Sequence, residues 1–185
     1  MKKFWEGINY LFFPPLCLHC KKIGIKEQIF CPACLEYFAL LDPKERCSDC
    51  FLQECTCTFT KRYPSLYLFE LEGPAKSLYV YCRRPTYSWV ELFSAYFLVQ
   101  WNICKWPKPD RVIPCRWFTY EAFLAKQIAL LLGVEYGICP TENREEILFV
   151  IDFDGLKKEV ADKLFLIRPH LYYCSVFNHY AVREK

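Results

Sequence analysis

Cysteine spacing constrains this chain more than any other feature of it. Eight of the 13 cysteines lie between residues 17 and 57 and fall into close pairs: Cys17-Leu-His-Cys20, Cys31-Pro-Ala-Cys34, Cys47-Ser-Asp-Cys50 and Cys55-Thr-Cys57. Zinc takes four ligands in a tetrahedron, and a two-residue spacer lets both sulfurs of a pair reach one ion at about 2.3 Å. Four pairs therefore supply two four-thiolate sites. Joining neighbours puts Cys17, Cys20, Cys31 and Cys34 on one zinc and Cys47, Cys50, Cys55 and Cys57 on the other, while a cross-braced grouping remains open. The last pair has a single-residue spacer, which makes the second set the less regular. Four-thiolate sites have no open coordination position, so such zincs are structural and do no chemistry. His19 lies inside the first pair but is a bystander when four thiols are at hand. Cys82, Cys104, Cys115, Cys139 and Cys174 are scattered singly and read as small buried hydrophobes.

This reading depends on compartment, because thiols stay reduced in the cytoplasm and pair as disulfides in oxidising compartments. Met1-Lys2-Lys3 begins like a secretory leader, but Glu6, Asn9 and Pro14-Pro15 interrupt the apolar run that should follow, so no signal peptide is expected. The most apolar later stretches, Leu92 to Trp101 and Phe123 to Leu132, fall well short of the roughly 20 residues that span a bilayer. A cytoplasmic protein with no membrane insertion is expected. The net charge of +3 and the 24% charged residues exclude a disordered chain or a polybasic tail, and name no partner.

After Cys57 the texture changes. A polar, basic linker, Thr58 to Pro64, leads into strands alternating with amphipathic helices. Strands are expected at Tyr67–Leu71, Arg111–Pro114, Ile147–Ile151 and Leu171–Phe177. Helices are expected at Ala75–Cys82, Tyr87–Ile103, Tyr120–Leu132 (closed by Gly133) and Leu156–Ile167. The run Ile147 to Ile151 is apolar throughout, which suits a strand buried on both faces of a parallel sheet. Alternating βα units imply an α/β domain with a mainly parallel sheet, whose ligands bind at the carboxyl ends of the strands.

Several segments resemble the ComF family, zinc-ribbon proteins with a phosphoribosyltransferase-like domain that are associated with DNA uptake in competent bacteria. Leu11-Phe-Phe-Pro-Pro-Leu-Cys17 resembles the family's Phe-Pro-x-x-Cys opening. Tyr81-Cys-Arg-Arg84 is similar to its Lys-Tyr-x-x-Arg segment, and Val112-Ile-Pro114 to its Val-Pro-Val-Pro strand. Ile147 to Asp152 lies where the family has Val-Leu-Leu-Val-Asp-Asp. The resemblance implies a type I phosphoribosyltransferase-like α/β domain over residues 65–185. Ahead of it, an N-terminal helix and a double zinc ribbon would occupy residues 1–60.

In active phosphoribosyltransferases two acidic residues hold the ribose hydroxyls, and a Thr-Thr-Gly-x-Thr loop wraps the phosphate at a helix N-terminus. Here Asp152 and Asp154 are the acidic remnants. Gly155-Leu-Lys-Lys-Glu159 replaces the loop, leaving Gly155, Lys157 and Lys158 as the phosphate-side candidates. The basic loop Arg-Gly-Phe-Asn-Gln has become Arg116-Trp-Phe-Thr-Tyr120. The resemblance thus implies an inactive phosphoribosyltransferase homologue. Its alternative is an active enzyme using phosphoribosyl diphosphate and magnesium in nucleotide or nucleoside metabolism. An inactive member would be an adaptor. Arg83 and Arg84 are its candidates for single-stranded DNA, and the aromatics Phe4-Trp5 and Tyr10 to Phe13 its candidates for docking a DNA-uptake or recombination protein.

Overall fold

The computed structural model describes residues 14–25, 28–38, 40–47, 51, 53, 55, 63–82, 87–116, 119–140, 145–153, 163 and 170–178. Outside them lie the expected N-terminal helix, Cys50, Cys57, Arg83, Arg84, Asp154, Gly155, Lys157 and Lys158. Of the helix expected over Leu156 to Ile167, only Lys163 is described, and it is helical.

Apolar runs bounded by turn residues produce the strands β1 (Ser65–Glu70), β2 (Arg111–Pro114), β4 (Leu148–Asp152) and β5 (Leu171–Asn178); β3 is the two-residue Glu135–Tyr136. The helices are α1 (Pro32–Glu36), α2 (Gly73–Cys82), α3 (Tyr87–Cys104) and α4 (Tyr120–Leu132). Gly133 closes α4 in the left-handed conformation, φ 60°, and its N–H returns to the helix. Gly73, at φ 49°, turns the chain from β1 into α2. Sequence reasoning missed α1, because Pro32 and Cys34 had been read as parts of a metal pair. It also missed β3, which is too short to show a period.

All strand pairings are parallel and the order is β1-β5-β4-β2-β3. Every residue of β4 is buried, as its continuous apolar run requires. On one face Phe97 and Trp101 of α3 and Ile128 and Leu132 of α4 meet Leu66, Phe149, Ile151 and Cys174 of the sheet. On the other, Tyr67 and Tyr173 pack edge to face at 5.9 Å, with Phe51 and Tyr63 against them.

β1 is an edge strand, yet five of its six residues are buried. The amino-terminal region covers it: the Leu41 N–H donates to Leu68 O at 3.0 Å, and Phe38 packs on Phe69 at 4.4 Å. Gln100 of α3 ties the cover down by donating to Leu41 O at 2.8 Å. A strand edge so covered cannot template pairing with another chain. Among the described residues no helix is long and apolar enough to cross a membrane.

Candidate metal centre and the carboxyl end of the sheet

Two local structures build the cysteine cluster. In the first, Cys17 to Lys22 forms a tight turn: the Lys21 N–H returns to Cys17 O at 3.1 Å, with Lys21 at φ 61°, and the Cys17 N–H donates to Lys22 O at 2.9 Å. An antiparallel bridge between Leu16 and Ile23 closes the turn's base. In the second, Cys31 precedes α1 with Pro32 at its first position, and the Leu35 N–H returns to Cys31 O at 2.9 Å. The Leu18 N–H donates to Ile29 O at 2.8 Å and joins the two.

The result places Cys17, Cys20, Cys31 and Cys34 with all four sulfurs within 4.8 Å of one another. Sulfurs bound tetrahedrally at about 2.3 Å lie roughly 3.8 Å apart, so the set fits one metal ion. The Cys17 thiol is lowered to about 6: burial opposes ionisation but is outweighed by hydrogen bonds from the backbone of Cys31, Cys20 and His19. Burial pushes the Cys34 thiol up to about 12, and its bonds to the other three thiols add to that. A divalent cation would replace this shared-proton arrangement with four thiolates. His19 is not one of the four; its Nδ1 lies 3.0 Å from Ser77 Oγ on α2.

Cys47 begins a turn of the same kind. The Phe51 N–H returns to Cys47 O at 2.9 Å and Phe51 sits at φ 61°, which repeats the relation of Lys21 to Cys17. The scattered cysteines divide. Cys82 and Cys174 are buried as anticipated and Cys104 and Cys115 half-buried, but Cys139 is exposed, contrary to the reading of it as a core residue.

Strand order locates the other place to look. The connection after β2 leads outward to β3, whereas the connection after β4 leads the opposite way to β5, so the crevice of this sheet lies between the carboxyl ends of β2 and β4. Asp152, fully buried, stands there. Its Oδ2 accepts from Tyr173 Oη at 2.5 Å and its Oδ1 from the Phe153 N–H at 2.8 Å. Burial, and then the charge of Asp152, holds the Tyr173 hydroxyl well above the usual phenol range, so it remains a donor.

Phe153, the next residue, is 5% exposed and packs at 4.7 Å on Tyr120, 5.3 Å on Phe177 and 5.9 Å on Tyr79. On the β2 side Arg116 makes two hydrogen bonds to Glu121 Oε1, the Nε one at 2.9 Å, and Glu121 is 1% exposed. Thr119 Oγ1 donates back to Arg116 O at 3.0 Å. Sequence reasoning had Asp152 and Arg116 but not their partners Tyr173, Phe153 and Glu121. The close spacing of Arg116 and Glu121 was the one available signal.

Comparison of the chain with protein-family models, with curated proteins and with solved structures gave no match.

Proposed function

We propose that the chain is a ComF-like adaptor: a metal-bound cysteine ribbon on a phosphoribosyltransferase-like domain that no longer transfers phosphoribosyl groups. The observation that carries the reading is the state of Asp152. A residue that grips ribose hydroxyls must offer carboxylate oxygens to solvent, whereas Asp152 is fully buried and both of its oxygens accept hydrogen bonds from the chain itself. Arg116, in place of the family's basic loop, is spent on Glu121. Stabilising the departing diphosphate is most of what such a catalyst supplies, and among the described residues this end of the sheet offers little to do it with.

Four thiolates suit zinc, held structurally by Cys17, Cys20, Cys31 and Cys34. The recurring turn at Cys47 and Phe51 supports a second zinc on Cys47, Cys50, Cys55 and Cys57. The reading includes a reducing, cytoplasmic setting. The docking surface is the ribbon, where Leu16, Ile23, Ile25, Leu35 and Tyr37 are all exposed. Apolar side chains presented in such number suit a protein partner.

Calorimetric titration with phosphoribosyl diphosphate and magnesium tests the loss of catalysis, and a flat trace is expected. A saturable heat would favour the alternative, an active phosphoribosyltransferase. Single-stranded DNA tests the partner class. Salt-dependent binding at low ionic strength that weakens in Arg83→Ala/Arg84→Ala would replace the protein partner with nucleic acid.

A further inference from the structure

Three of the four clustered thiols are sealed: Cys17, Cys31 and Cys34 are 0, 8 and 7% exposed, whereas Cys20 is solvent-accessible. Cys20 and the buried Cys34 line a cleft of about 620 Å³ between the cysteine turn and the corner joining β1 to α2, and Cys20 is the exposed one of the two. Tyr37, Phe38, Leu41 and Phe69 make the cleft apolar; Glu70, paired with Arg46 at 2.8 Å, and Glu72 are its acidic groups, and no lysine or arginine lines it among the described residues. That volume is the size of a small-molecule site.

Resting on the metal reading above, we propose that Cys20 is a modification site, the thiolate through which a small uncharged organic hydroperoxide oxidises the metal centre. The thiolate is the reactive form of cysteine, and reaction requires access as well as ionisation. Cys17, Cys31 and Cys34 are buried and lack that access, and Cys20 has it. The apolar wall accepts an apolar body, and no lysine or arginine among the described lining residues draws in an anionic oxidant.

The Cys20 thiolate attacks the peroxide's terminal oxygen, the O–O bond breaks, and the alkoxide leaves and takes a proton from water. Cys31 Sγ lies 3.6 Å from Cys20 Sγ. Its thiolate attacks the resulting sulfenic sulfur, forming the S–S bond and expelling hydroxide. Two thiolates have been oxidised by two electrons in total, and one hydroperoxide and one water have become an alcohol and two hydroxides. The new disulfide links the two cysteine turns and would leave Cys17 and Cys34 as the only thiolates for a bound metal, too few to hold it.

The experiment treats the metal-loaded full chain with cumene hydroperoxide or hydrogen peroxide, each rate being referred to that oxidant's rate with free cysteine. Metal release is followed with a chromogenic chelator, and disulfides are mapped by peptide mass spectrometry. Cumene hydroperoxide should act several-fold faster, with Cys20–Cys31 as the first disulfide. Ala33→Trp fills the cleft from the exposed side of α1, and it should slow cumene hydroperoxide while leaving hydrogen peroxide unaffected. A first disulfide within one turn (Cys17–Cys20 or Cys31–Cys34), or an Ala33→Trp variant that treats both oxidants alike, would overturn the proposal. Metal content is measured before oxidant is added. A metal-free chain would contradict the metal reading, and the disulfide map of that reduced chain would still decide the role of Cys20.

Discussion

Between residues 14 and 47 the buried hydrophobic side chains are Cys17, Phe30, Cys31 and Cys34, while Leu16, Ile23, Ile25, Ile29, Leu35 and Tyr37 stand exposed. Between residues 63 and 178 the buried set includes Tyr67, Phe69, Phe93, Phe153, Tyr173 and Phe177, with ring upon ring in contact. Among the described residues the first region has nearly no apolar core of its own: three of its four buried hydrophobic side chains are thiols, and Phe30 joins the core of the sheet domain. Segments of that size without a core need a metal or a disulfide to stay folded. The second region buries enough apolar surface to fold on that account. The same residue type thus does different work on either side of the linker: Cys34 stands in a cluster that fits a metal ion, and Cys82 is filler.

Changes that break this contrast should rank by what they remove. Cys34→Ser deletes a ligand whose metal site is worth on the order of 10 kcal/mol. It should abolish metal binding at that site and the order of the cysteine turns, as read by metal analysis and NMR, while far-ultraviolet circular dichroism of the sheet domain persists. Phe177→Ala strikes the other region. Phe177 is fully buried against Phe69, Tyr79, Phe93 and Phe153, and its loss should cost about 3–5 kcal/mol in chemical denaturation without altering metal content.

Smaller effects sharpen the picture of the sheet domain. Arg111 is 11% exposed and bonds Glu146 at 2.7 Å and Glu135 at 2.5 Å. Glu146→Ala removes the buried partner and leaves the exposed one, so the loss should be about 2–3 kcal/mol, at the low end for a half-broken buried pair. Cys82 provides a pH test. Burial pushes its thiol up to about 12 from 9.0, so above pH 9 the unfolded chain sheds the proton that the folded chain keeps. Stability should therefore fall as pH rises through 9 toward 12, and Cys82→Ala should flatten part of that slope in alkaline thermal melts.

The elements readable from sequence were those whose signals are local. α4 was legible in full, because an apolar period ends at a glycine that only a left-handed closing residue explains, and β2 because Arg111 to Pro114 is short, apolar and bounded. Pairing partners were not legible. Asp152 could be picked out as an acid at a strand's end, but its closure depends on Tyr173, 21 residues away, arriving beside β4 in the β5 register. The first metal set was readable from spacing alone. What spacing could not convey is that Cys20, the exposed thiol, and Cys34 line a cleft shared with β1 and α2, since that depends on how the cysteine turns seat against the sheet.

The division between a metal-held region and a self-held region is tested most directly by hydrogen exchange of the metal-loaded chain, measured by mass spectrometry before and after chelation. Chelation should raise exchange across residues 14–38 and leave β4, β5 and the inner face of β1 protected. Unchanged protection over residues 14–38, or loss of protection in β4 and β5 along with it, would contradict the account.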